Sequence, residues 1–190
     1  LDDSGNLWII HHSGMIEVLN TTSHKVVRKY GLSQELRRTD NTWKIAVDSE
    51  FDLWAFTSEN PIGVFYLNTK TGQSKIYDTP ELKSNLVTSV VQAQDGKIWI
   101  GADHGGVAII NKVTGQKSYI INDSDDPKSL INDNVNCMFQ DVSGGIWVGT
   151  IKSGLSYFHP NSSSFHHVKY DRKISAYNDM SSFAETKKHQ

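Results

Sequence analysis

The chain has 190 residues, with 19 Lys+Arg against 21 Asp+Glu and a formal net charge of −2. That near-neutral balance speaks against a nucleic-acid binder, which carries a basic excess or stripe; 10% aromatic and 21% charged residues speak against disorder. The single cysteine, Cys137, excludes an internal disulfide framework and a cysteine-rich zinc site, and no apolar run approaches the ~20 residues of a membrane span.

An internal repeat organises the chain. Leu7-Trp8-Ile9, Leu53-Trp54-Ala55, Ile98-Trp99-Ile100 and Ile146-Trp147-Val148 stand 46, 45 and 48 residues apart. Six residues before each Trp stand Asp2, Asp48, Ala93 and Asp141, and three before stand Gly5, Phe51, Gly96 and Gly144. Gly supplies the positive φ of a tight hairpin, and the Asp side chain accepts hydrogen bonds from the turn backbone.

Taken in chain order, each full unit predicts four short strands. An inner strand such as Asn134–Gln140 leads through Asp-x-x-Gly into the Trp strand. A third run follows a Gly-containing turn, as in Asp103-His104-Gly105-Gly106-Val107 or Lys152-Ser153-Gly154-Leu155. A fourth run, such as Lys117–Ile121, follows a polar turn. Only residues 32–38 could form a helical turn. Four strands in about 45 residues is the pattern of a β-propeller blade. Stacked blades bury both faces, so the Trp strands read as continuous apolar runs.

The expected fold is therefore all-β: about four propeller blades of four antiparallel strands, forming a partial or oligomer-completed propeller. Blade one covers 1–40 and lacks its inner strand; blade two covers 41–84, blade three 85–132 and blade four 133–175. Residues 176–190 hold the inner strand of a next blade, with Asn178–Glu185 aligned on Asn134–Asp141. These bounds suit an arc of a larger propeller. Alternatively, the last strand completes blade one, in the same chain or in a homodimer by terminal strand exchange.

The repeat reads Asn-x-Val-x-x-φ-x-x-Asp-x-x-Gly-x-φ-Trp-φ-Gly-Thr-x-x-x-Gly-φ, with φ apolar. Asn134–Leu155 follows it almost throughout, and Leu86–Val107 follows it with Ala93 and Ala102 in place of Asp and Thr. It resembles the two-component-regulator propeller repeat of the periplasmic sensor region of hybrid two-component histidine kinases in Bacteroides-type bacteria. The resemblance implies a non-catalytic, periplasmic, ligand-sensing segment responding to oligosaccharides, with no cofactor. Membrane and kinase parts would lie elsewhere in the full-length protein. Blade two departs most, with Phe51 at the Gly position and Asn60-Pro61-Ile62-Gly63 lengthening a turn. A weaker resemblance runs to streptogramin-lyase and lactonase propellers, some of which bind metals. A protein-interaction scaffold is a further alternative.

The repeated Trp8, Trp54, Trp99 and Trp147, with Asp48 and Asp141, are expected to be structural. Trp43 falls where Thr88 and Asn136 stand in the other units, so it is a candidate stacking platform for a ligand. His11, His104 and Lys152 lie in turns between second and third strands and are candidate ligand contacts. The Arg37-Arg38 pair could grip an anionic sugar bidentately. No nucleophile–base pattern and no metal-ligand spacing is readable. His11-His12 falls in a turn, and the adjacent His166-His167 lies on an outer strand, where neighbours point to opposite faces and cannot easily chelate. The acidic run Asn122–Asp126 lacks the Gly and distal Glu of a calcium loop.

Overall fold

The structure is a computed structural model and describes residues 2, 4–34, 36, 41–159, 165–168 and 179–184. Runs rich in Val, Ile, Trp, Phe and Tyr, cut by Gly- and Asn-containing turns, form fifteen strands among these residues and no α-helix. The first sheet holds β1 (Asn6–Ile10), β2 (Met15–Asn20) and β3 (Lys25–Gly31). The second holds β4 (Lys44–Val47), β5 (Leu53–Phe56), β6 (Val64–Leu67) and β7 (Ser74–Tyr77). The third holds β8 (Val87–Gln92), β9 (Ile98–Ala102), β10 (Gly106–Ile110) and β11 (Lys117–Ile120). The fourth holds β12 (Val135–Gln140), β13 (Ile146–Thr150), β14 (Gly154–Phe158) and β15 (Phe165–Val168). Every sheet is an antiparallel meander in chain order, three of them four-stranded and the first three-stranded.

Alternation along the Trp strands explains their continuous apolar character. All four residues of β5 are buried. Leu53 and Ala55 pack against Ile16 and Leu32 of the first sheet and its exit, whereas Trp54 and Phe56 pack against Val90, Ile98 and Ile110 of the third. The next interface repeats the arrangement, with Trp99 and Val107 set against Met138, Ile146 and Val148. Each central blade thus contributes to two cores, which is the packing logic of a propeller.

Blade two is more regular than its sequence suggests. It forms a complete four-stranded sheet, and Phe51 adopts the positive φ of 65° that Gly5, Gly96 and Gly144 adopt in the other units. The helical turn expected over 32–38 falls partly outside the described residues; Leu32 and Leu36 are buried in the first inter-blade core.

The inner strands of blades three and four carry matching bulges, between Val87 and Ser89 and between Val135 and Cys137. Each bulge residue reaches the next inner segment. The Thr88 hydroxyl donates to the Val135 carbonyl at 2.9 Å, and the Asn136 amide donates to the Met180 carbonyl at 2.8 Å. Residues 179–184 therefore lie against β12 as β12 lies against β8, and they do not join the sheet of β1. The correspondence runs one residue off the sequence alignment. A Cβ on Gly101 would meet Val135 and Met138, and a Cβ on Gly149 would meet Met180 and Phe183. Met180 thus takes the place of Val135, not of Asn136.

Candidate functional site

Three repeated tryptophans are locked by the aspartate six residues before them. Trp8, Trp54 and Trp147 donate their indole N–H to Asp2, Asp48 and Asp141 at 2.9, 3.0 and 2.9 Å. The other oxygen of each carboxylate accepts turn N–H groups, such as Glu50 and Asp52 on Asp48 and Ser143 and Gly145 on Asp141. Tyrosines paired across the next strand cover two of the rings, with centroids 4.6 Å apart for Trp54–Tyr66 and 4.4 Å for Trp147–Tyr157.

A buried ion cluster joins blades two and three, and no local sequence pattern announced it. Lys112, in the turn after β10, places Nζ 2.6 Å from Asp48, 2.8 Å from Asp52 and 3.1 Å from Glu50. The Lys112 side chain is 7% exposed, and those of Asp48 and Asp52 are 1% exposed. Burial disfavours the charged ammonium, but the bonds to Asp48, Asp52 and Glu50 outweigh it and hold the lysine above its ordinary range. Burial likewise raises Asp52, but bonds from Lys112, Tyr66 and the Thr69 N–H outweigh it and hold the carboxyl below its usual range. Burial and the Asp52 bond push Tyr66 up to about 12.

The expected ligand residues separate. Trp43 is 7% exposed and packs in the core between blades one and two, so neither ring face is open to a ligand. The inner strand that follows it pairs without the bulge that carries Thr88 and Asn136 in the next two blades. His11 pairs with Glu17 at 3.1 Å, which also binds Lys29 at 2.8 Å. Arg37 and Arg38 lie outside the described residues. His104 and Lys152 hold the same place in successive turns, with φ of 57° and 61°.

Of these residues, His104 lines a hollow. Together with Asn122, Asn132, Asp133 and Asn134 it borders an open space of about 370 Å³. The imidazole Nδ1 stands 3.0 Å from Asp103 and its side chain is 76% exposed. Asn132 donates to Ser153 at 3.0 Å, in the turn that carries Lys152, and accepts the Asn134 N–H at 2.7 Å. No other described residue engages the Asn134 amide. The hollow thus offers several amide groups and one imidazole on one propeller face. The three asparagines and the aspartate lie in connections between blades, which a search for charged motifs passes over.

A larger groove, about 540 Å³, lies at the opposite ends of the inner strands. Trp8, Phe51, Asp48, Ser49, Gln92 and Gln140 are among its lining residues. Cys137 sits apart from both spaces. Burial, aided by the Asp179 charge, pushes its thiol up to about 11, which makes it a poor nucleophile. Among the described residues no three His, Cys, Asp or Glu side chains converge to hold a metal ion. No helix among them is long and apolar enough to cross a membrane.

Four-stranded meanders packed face to face, with their inner strands side by side, define this chain as part of a β-propeller. Residues 81–104 and 129–152 match the two component regulator propeller family, so blades three and four carry that repeat in their first two strands. The fold is shared with the extracellular domain of the hybrid two component system BT3049 from B. thetaiotaomicron. That likeness has 24% identity and a TM-score of 0.62, over 86% of this chain and 22% of that one. The extracellular domain of BT4673, from the same organism, gives 22% identity and a TM-score of 0.63, over 83% of this chain and 20% of that one. The WD40 beta propeller domain of Doa1 gives 15% identity and a TM-score of 0.58, over 84% of this chain and 48% of that one. The chain spans about a fifth of the two extracellular domains. No curated protein matches it in sequence.

Proposed function

We propose that the chain is a ligand-sensing segment of the extracytoplasmic, periplasmic propeller of a hybrid two-component sensor histidine kinase, and that it responds to an oligosaccharide. The observation that carries this reading is the regulator propeller repeat at 81–104 and 129–152. The hollow at His104 supports it chemically. Neutral, polyhydroxylated ligands are recognised by convergent amide and imidazole groups, which His104, Asn122, Asn132 and Asn134 supply. Signalling is a population shift: the ligand binds one arrangement of the sensor more tightly, and the kinase reads that bias.

Calorimetric titration and thermal-shift measurement against neutral and anionic oligosaccharides test the reading. Saturable stabilisation by one oligosaccharide class, weakened by His104→Ala, is the expected result. Stabilisation by divalent metals alone would point instead to a lyase or lactonase propeller and would overturn the sensor reading. The coding sequence flanking the chain provides a second check, since a membrane helix and a kinase must follow.

A further inference from the structure

Trp99 is the one tryptophan of the repeat without an aspartate cap. Ala93 stands six residues before it. Trp99 is 5% exposed as a whole residue, but its indole nitrogen is reachable from solvent, and no described residue accepts a hydrogen bond from its Nε1–H.

The missing carboxylate leaves space. A cavity of about 270 Å³ lies between blades three and four, lined by Ala93, Trp99, Ile109, Ser118, Ile146 and Phe158 among others. Strand register explains why this interface has room and the preceding one has not. Trp54 pairs with Tyr66 and Tyr66 with Lys75, whereas Trp99 pairs with Ile109 and Ile109 with Ser118. Asp48, Tyr66 and Lys75 are thus replaced by three smaller side chains. Lys112 fills the preceding interface from the next blade. The residue aligned with Lys112 in the next unit is Pro160, which has no ammonium to offer and lies outside the described residues.

The chemistry of the walls selects an occupant. Ile109, Ile146 and Phe158 give an apolar body. Lys97, at the rim, is neutralised by Asp95 at 2.6 Å, so the site presents no net charge. The Trp99 N–H supplies a donor. The Ser118 hydroxyl and the Gln94 amide, which no other described residue engages, add polar contacts at the rim. Pockets for drug-sized ligands run about 300–1,000 Å³, so this one takes a single ring.

We propose that this cavity binds a neutral, single-ring molecule carrying a hydrogen-bond acceptor, with the acceptor on Trp99 Nε1–H and the ring among Ile109, Ile146 and Phe158. The site is separate from the His104 hollow: it opens beside the turn between β8 and β9, whereas His104 lies in the turn between β9 and β10. Either site can fail without the other.

The probe is cyclohexanone, added to the ¹⁵N-labelled chain while the five indole N–H resonances are followed, with Trp99→Phe assigning the one of interest. The expected result is a saturable shift of the Trp99 resonance at millimolar probe, with cyclohexylammonium binding at least about tenfold more weakly. Ala93→Asp restores the cap that the other three units carry and fills the cavity. It is expected to abolish the shift while the other four indole resonances keep their positions. If Ala93→Asp does not fold, Ala93→Leu fills the same space with apolar atoms and is expected to block the probe equally. A Trp99 resonance that cyclohexanone leaves unmoved, or moves equally in the filled variant, means that the cavity holds only water and overturns the proposal.

Discussion

Lys112 and Asp48 lie 64 residues apart in the chain, yet the lysine ammonium stands 2.6 Å from the carboxylate oxygen that also accepts the Trp54 indole N–H. One oxygen therefore serves the internal lock of blade two and its link to blade three. Removing the cation leaves two buried carboxylates uncompensated, and breaking such a pair costs about 3–5 kcal/mol. Lys112→Met is expected to lower stability by that order, read as a shifted urea midpoint at unchanged slope. Adding Asp52→Asn to that variant is expected to recover part of the loss, since the coupled sites are non-additive.

The same cluster sets the pH range of stability. Asp52 titrates lower in the folded chain than its ordinary value of 3.8. Its stabilisation is present above that value and is lost as pH falls through the lower folded one. Lys112 titrates above its ordinary 10.5, and Tyr66 is pushed from 10.0 up to about 12. Both contributions are present below the ordinary values and are lost as pH rises through the folded ones. Melting temperature is expected to hold between about pH 4 and 9, above which the unfolded Cys137 thiol also begins to ionise, and to fall on both sides. Lys112→Met should flatten the alkaline arm; equal slopes above pH 10 in both proteins would refute this account.

Blade count and strand order were legible because each unit repeats the same turn chemistry at the same offset from its Trp. The aspartate cap was legible as a spacing, since Asp48 and Trp54 belong to one hairpin. The Lys112 cluster was not, because its partners lie in a different unit and a lysine after a strand reads as a solvated turn. Trp43 stood out as an exception to the repeat, but alignment does not give the direction of a side chain, and the ring turned into the core. The one-residue offset at Met180 has a similar origin. The bulge at Asn136 changes the local register, which a run of matched letters does not record.

Phe51 offers a test of backbone strain. A left-handed conformation costs a residue bearing a Cβ roughly 1–2 kcal/mol, and Phe51 holds it at φ 65°. Phe51→Gly and Phe51→Ala lose the same ring, but only the alanine keeps the strain. At an ordinary position alanine would be the more stable of the two. Here the glycine variant is expected to exceed the alanine variant by about 1 kcal/mol in denaturant unfolding. The usual order would mean that the turn rearranges.

Gly63 ends the lengthened turn of blade two at φ 85°, and a Cβ there would collide with the Tyr77 carbonyl oxygen. That oxygen belongs to the paired strand and cannot swing aside as a flexible side chain can. Gly63→Ala is expected to destabilise the chain by more than about 2 kcal/mol. Thermal unfolding of this variant beside Gly72→Ala provides the comparison. A Cβ on Gly72 meets nothing within 4 Å, although its φ is also positive at 75°. The difference between the two variants isolates the steric contact from the conformational strain.

His104 separates binding from folding. Its side chain is 76% exposed and its one polar partner is the adjacent Asp103, so His104→Ala is expected to change stability by no more than about 0.5 kcal/mol. Its imidazole nonetheless borders the hollow formed by Asn122, Asn132, Asp133 and Asn134. If that hollow receives an oligosaccharide, losing one buried contact should weaken binding by about tenfold, or ~1.4 kcal/mol. His11→Ala is the control. His11 occupies a similar turn in blade one, but it is engaged by Glu17 and is not part of the hollow. Titration of both variants with the same oligosaccharide should show weakened affinity for the first and unchanged affinity for the second. Equal effects, or none, would move the ligand site away from this face and toward the groove at Trp8 and Gln92 on the other.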